Sequence, residues 1–183
     1  MARFHALNPA AATGKALDLL TAVQNKLGVT PNMMRTMANS PAVLDAYLAF
    51  SGALSKGSLG GKLGEQIALA VAEANSCQYC ASAHAVLGQR AGLDAATMDA
   101  SRRGAPLDTR TDAALHFART LVAKQGLVTA ADVAAVRAAG FSEGEVGEII
   151  AHVALNTFTN YFNNTAETDI DFPVVELLEK EAA

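Results

Sequence analysis

The 183-residue chain is predicted to be all-α, on three observations. Alanine and leucine, both strong helix formers, dominate almost every segment. Alternating runs of β-branched residues are missing, and glycine and proline punctuate the chain at helical intervals. Hydrophobic residues make up 51% of the chain and charged residues 17%, which excludes a disordered protein and requires much apolar surface to be buried, some of it between subunits. Neither a repeat nor a linker is visible, so residues 1–183 are expected to form one domain.

The elements follow in order. A first helix is expected from Thr13 to Leu27, stopped by Gly28. Thr30-Pro31 opens the short segment PNMMRTMAN, whose Met33, Met34 and Met37 form a soft cluster suited to a core or an interface. Ser40 is a good N-cap with Pro41 at the first helical position, and that helix runs to about Ser55. KGSLGG reads as a flexible joint. The next helix, Gly61 to about Asn75, carries a broad apolar face of Leu63, Ile67, Leu69, Ala70 and Val71. Asn75-Ser76 supply capping residues for a helix that begins at the cysteines and ends at Gly92. Asp94 caps a short helix to Arg103, where Arg102-Arg103 suit a helix C-terminus, and Pro106 marks a turn. Thr109 to Gln125 is amphipathic through Leu115, Ala118, Leu121 and Val122. Thr129 caps a helix to Gly140, and Ser142-x-x-Glu145 is a capping box opening a long helix to about Tyr161. NNTAETDIDFP is expected to be looped and VVELLEKEAA to be a terminal helix.

Several function classes are set aside. The net charge is −4 with no basic patch, so nucleic-acid binding is not expected. MARFHALNPAAATGKALDLL lacks the apolar run of a signal peptide, and LGEQIALAVAEA is interrupted by Glu65, Gln66 and Glu73, so no membrane span is expected. The cytoplasm is the expected compartment, where thiols are kept reduced and a close cysteine pair points to catalysis or metal rather than a staple.

Both cysteines of the chain fall in NSCQYCASAH. On a helix advancing ~100° per residue, Cys77, Cys80 and His84 share a wedge of roughly 60°, with Cys80 and His84 one turn apart. In a first helical turn the unpaired N–H groups and the dipole favour a thiolate, an adjacent imidazole can take the proton, and a second thiol can resolve a sulfenic acid as a disulfide. Two other readings stand beside this redox pair. The cysteines and His84 could be buried core residues, or part of a metal site, but the latter lacks the usual second ligand pair. No βαβ pattern surrounds the motif, which disfavours a thioredoxin-type fold. Glu65, amid apolar neighbours, is either an exposed edge residue or a buried proton carrier, and the residues alone leave the two even. His152, Asn156 and Asn160 recur every four residues along AHVALNTFTNYF, and could face a pocket, a subunit interface or solvent. His116 and His5 have no visible partner.

Glu65-x11-Cys77-x2-Cys80-x3-His84 resembles the signature of the AhpD-like alkylhydroperoxidases of the carboxymuconolactone decarboxylase superfamily. GVTPNMMRTMANSPAVLDAYLAF and HVALNTFTNYFNNTAETDIDFP are similar to its peroxidase-related branch, so the resemblance spans most of the chain around a motif at residues 65–84. It implies a helical bundle, homo-oligomers (often trimers or hexamers), and reduction of alkyl hydroperoxides or hydrogen peroxide with electrons from a dithiol or protein reductant. No cofactor or metal is expected. It implies Cys80 as the peroxidatic cysteine, Cys77 as its partner, and Glu65 and His84 as a proton relay. Tyr79 stands where the best-known members carry histidine, so the proton network must differ there. Members that act as decarboxylases lack the cysteine pair, so decarboxylation is not expected. A non-catalytic redox sensor or binding oligomer using the same thiols is the alternative.

Overall fold

Nine α-helices and no strand occur among the residues described by the computed structural model, 2–105 and 107–178. A 3-10 turn at Pro9–Ala11 precedes α1 (Gly14–Leu27), α2 (Asn32–Met37), α3 (Pro41–Leu54), α4 (Gly60–Ala74) and α5 (Gln78–Arg90). Then come α6 (Ala95–Arg103), α7 (Thr109–Ala123), α8 (Ala130–Ala138) and α9 (Glu143–Ala166). Local chemistry sets most boundaries. Gly28 ends α1 at φ 74°, Asp94 and Asp108 cap α6 and α7 through their carboxylates, and Thr129 and Ser142 each open a full capping box.

α4 is the centre of the molecule and packs against α5, α6, α7 and α9. Its nine buried residues include the continuous run Gln66–Ala72, as expected of a helix enclosed on nearly all sides. Two apolar clusters meet there. One joins α1, α2 and α3 to the cysteine segment through Leu20, Met37, Leu44 and Cys77, and the other joins α4, α7 and α9 through Ile67, Phe117 and Ile149.

The joint before α4 is pinned rather than free. Glu148 of α9 reaches across and its Oε2 accepts from the backbone N–H groups of Ser58 (2.7 Å) and Leu59 (3.0 Å), supplying the cap that α4 lacks locally. The carboxylate lies so near Gly57 that a Cβ there would come within 2.6 Å of it. The backbone donors also hold the Glu148 carboxyl below its ordinary value.

The C-terminal region departs from expectation in two ways. α9 continues through Asn163 and Asn164 to Ala166, because the helix stays buried past Tyr161 at Asn163 and Ala166, and Glu167 closes it at φ 47°. The terminal helix expected over VVELLEKEAA is absent from residues 174–178. There Val175 N–H donates to Ser82 Oγ (3.0 Å) and Leu178 N–H to Glu73 Oε2 (3.2 Å), so these donors are spent on α4 and α5 instead of an i−4 ladder. Residues 179–183 of that expectation, and the turn at Pro106, lie outside the described residues. No helix among the described residues is long and apolar enough to cross a membrane.

Candidate active site

The turn between α4 and α5 builds the site. Ser76 adopts φ 51°, in the left-handed region, and this reverses the chain so that α5 packs back along α4. The expected capping by Asn75-Ser76 does not occur. Asn75 is engaged elsewhere, donating from Nδ2 to Asn160 Oδ1 (3.0 Å) and accepting at its carbonyl from Asn164 Nδ2 (3.0 Å). Cys77 itself is the N-cap, extended at φ −99° and ψ 93°, with its Sγ accepting from Cys80 N–H at 3.3 Å. Cys77 therefore stands just before the helix, and Cys80 is the third residue inside it. The two form a disulfide with Cα atoms 5.3 Å apart, within the ordinary range for such a bridge.

Both sulfurs are shielded. Cys77 is 0% exposed and Cys80 3%. One turn after Cys80, His84 places Nδ1 2.7 Å from Glu65 Oε2 on α4, with side-chain exposures of 20% and 23%. Glu65 is thus neither an edge residue in open solvent nor fully buried; it is an acid paired to the histidine. With Nδ1–H donating to the carboxylate, Nε2 becomes the acceptor of the neutral ring. A cavity of about 280 Å³ opens against this pair and is lined by Glu65, Cys80, His84, His152, Asn156 and Asn163, together with apolar groups such as Met34 and Leu155. Cys80 lines it; Cys77 does not. The helix hairpin brings all four motif residues into one region, with one sulfur turned to the cavity and the other behind it.

A family model for the carboxymuconolactone decarboxylase family matches residues 41–124, which include the whole motif. The chain is similar over its full fold to an alkylhydroperoxidase AhpD core, an uncharacterized peroxidase-related protein from Ralstonia eutropha JMP134, at 27% identity and TM-score 0.84, covering 93% of this chain and 92% of that one. An uncharacterized peroxidase-related protein from Silicibacter sp. TM1040 matches at 25% identity and TM-score 0.78, covering 90% and 91%. These matches support assignment of the chain to the AhpD-like carboxymuconolactone decarboxylase superfamily. A debrominase solved with 2,3,4-tribromopyrrole shares the fold at 20% identity and TM-score 0.78, over 91% of this chain and 90% of that one. No curated protein matches by sequence.

In this AhpD-like chain Tyr79 is tied into structure. Its hydroxyl accepts from Met33 N–H (3.1 Å) and donates to Asp171 Oδ1 (2.9 Å), while Asp171 Oδ2 accepts from Asn32 N–H (2.7 Å). The ring meets Phe172 edge-on at 5.7 Å. Burial, the largest effect, pushes the phenol far above its ordinary value, so Tyr79 stays protonated and holds α2 and the C-terminal segment against α5. The position that bears histidine in the best-known members carries here a group that does not ionise near neutrality.

The polar stripe on α9 is no solvated face. His152 and Asn156 line the cavity, and Asn160 is fully buried. His152 packs over Gly64, where a Cβ would sit 3.1 Å from its Cε1, and burial pushes its pKa down against the opposing pull of Glu148 and Glu65. The methionine cluster is core, with Met33, Met34 and Met37 all buried. His116 is exposed on α7, and among the described residues no cluster of histidine, cysteine and acidic side chains is arranged to hold a metal ion. Arg102 does more than end a helix: it forms a buried ion pair with Glu73 of α4, beside the backbone of Leu178.

Sequence reasoning missed Asn163. Its Nδ2 contacts Met33 Sδ (3.2 Å) and Cys80 Sγ (3.4 Å), and it is 3% exposed. The signal existed, since Asn163 continues the spacing of Asn156 and Asn160 by three residues, but it was hidden by placing the helix end at Tyr161.

Proposed function

We propose that this AhpD-like protein is a thiol peroxidase that reduces alkyl hydroperoxides or hydrogen peroxide through Cys80 and Cys77. The observation that carries this reading is that Cys80, and not Cys77, faces the same cavity as the Glu65–His84 pair. In the reduced enzyme His84, held by Glu65, takes the Cys80 proton. The thiolate attacks the terminal oxygen of the hydroperoxide, forming an S–O bond as the O–O bond breaks. The alkoxide leaves as the alcohol with the proton returned from the relay. Cys77 then attacks the Cys80 sulfenic acid, forming the disulfide and releasing water, and a dithiol or protein reductant restores both thiols. The largely apolar lining suits an organic hydroperoxide as well as the small parent peroxide.

We further propose a homo-oligomer. Ile150, Phe158 and Tyr161 line an outward stripe of α9 at helical spacing and are 46%, 41% and 61% exposed, a face that a second copy would cover.

The test is peroxide consumption with several dithiol donors, beside a Cys80→Ser variant. Consumption that Cys80→Ser abolishes, with sulfenic acid trapped on Cys80 in Cys77→Ser, is the expected result. A wild type no faster than Cys80→Ser with every peroxide and donor overturns the reading.

A further inference from the structure

We infer that Asn163 is a further catalytic residue, whose side-chain amide holds the negative charge on Cys80 when the disulfide is opened. The inference rests on the thiol-enzyme reading of Cys80 but adds a group that the four-residue motif does not contain.

Three observations carry it. Asn163 Nδ2 lies 3.4 Å from Cys80 Sγ, and its other sulfur contact is Met33 Sδ at 3.2 Å. Its amide nitrogen therefore faces two soft sulfur acceptors, one of which is the reacting atom. Secondly, the site is shielded, with Cys80 and Asn163 each 3% exposed. Burial penalises a thiolate strongly, so a charge formed on Cys80 needs donors fixed in place. The helix N-terminus supplies only part of this, because Cys80 N–H already points to Cys77 Sγ. Thirdly, Asn163 Oδ1 is buried and has no hydrogen-bond partner among the described residues. An orphaned buried acceptor costs stability, and its retention is explained when the donor end of the same amide serves chemistry. A leucine of similar size would fill the space without that cost.

The division of labour follows from position. His84 and Glu65 are the groups that exchange the proton; Asn163, which does not titrate, stabilises what the proton leaves behind. The same donor faces the sulfur as it becomes a sulfenate. The other titratable groups around the cavity are Tyr47 on α3, Glu65 on α4, Tyr79, His84 and Arg90 on α5, and His152 on α9.

The experiment titrates Cys80 by thiolate absorbance in the Cys77→Ser protein, where it is the sole thiol, and needs no peroxide. Burial alone raises a thiol, so a Cys80 pKa at or below the ordinary ~8.5 is expected, and a value well above it overturns the inference without further substitution. In the same background Asn163→Leu should raise the pKa by about one pH unit or more, as expected for a lost hydrogen bond to a charged group. Asn163→Asp keeps the shape but replaces the donor by an acceptor and should raise it further. Alkylation of Cys80 at pH 7 should slow about tenfold in Asn163→Leu and recover at high pH, a rescue that simple packing damage would not show. An unmoved pKa in a folded variant overturns the inference. If the pKa moves while the wild type consumes no peroxide, the peroxidase reading falls and the role of Asn163 stands.

Discussion

Glu65 and His84 meet at 2.7 Å with about a fifth of each side chain exposed, an arrangement that holds a proton in place while leaving it exchangeable. Glu65→Gln preserves shape but removes the carboxylate that orients His84. Peroxide turnover is expected to fall ~100-fold with the fold intact, the low end of what a positioned acid–base group contributes. Steady-state rates across pH 6 to 8 check it, a range set around neutral operation, and unchanged rates would exclude Glu65 from the relay. His152 gives a second residue-level test. Its pKa is depressed in the folded protein by burial, so the unfolded chain binds the extra proton first as pH falls. Its contribution to stability is therefore complete above the ordinary histidine value of ~6.5 and is lost as pH drops through the depressed folded value. His152→Gln should flatten the loss of stability on the acid side of pH ~6.5, measured by denaturant midpoints. An identical pH profile in the variant would show that His152 does not drive it.

At the scale of single elements, helix starts decide the geometry of the site. α9 carries His152, Asn156 and Asn163 toward the cavity and also sends Glu148 to cap α4, so its own N-terminus matters at a distance. Ser142 closes its capping box by accepting from Glu145 N–H at 3.2 Å. Ser142→Ala should cost about 1 kcal/mol, seen as a melting temperature lower by roughly 2–4 °C, without loss of helix content. A cap of this kind is legible from four residues, S-x-x-E. The cap of α5 was not. Cys77 has no place among common capping residues, and only the left-handed turn at Ser76 puts its sulfur over the first helical amides. The same limit explains the end of α9, where propensity fades in NNTA but burial of Asn163 and Ala166 keeps the helix going.

On the scale of the whole molecule, residues 168–178 cross the outer side of α5 and tie it to α2 and α4 through Asp171, Val175 and Leu178. Ending the chain after Ile170 removes these ties and the Phe172 edge contact to Tyr79. Helix content should remain, while alkylation of the reduced cysteines becomes faster; an unchanged alkylation rate would show that the segment does not shield them. The proposed oligomer is checked by light scattering, where a multiple of the chain mass is expected and a monomer at micromolar concentration would count against it. Fold class, most of the helices in their order and the spacing of the four-residue motif were legible in the sequence, because helix propensity, capping and a fixed spacing act over a few neighbouring residues. The tertiary structure alone decided which sulfur faces the cavity, that Tyr79 is a structural tie to Asp171, and that Asn163, 83 residues beyond Cys80, touches its sulfur. These depend on how distant elements pack and which polar groups that packing shields from water, and no local pattern encodes such contacts.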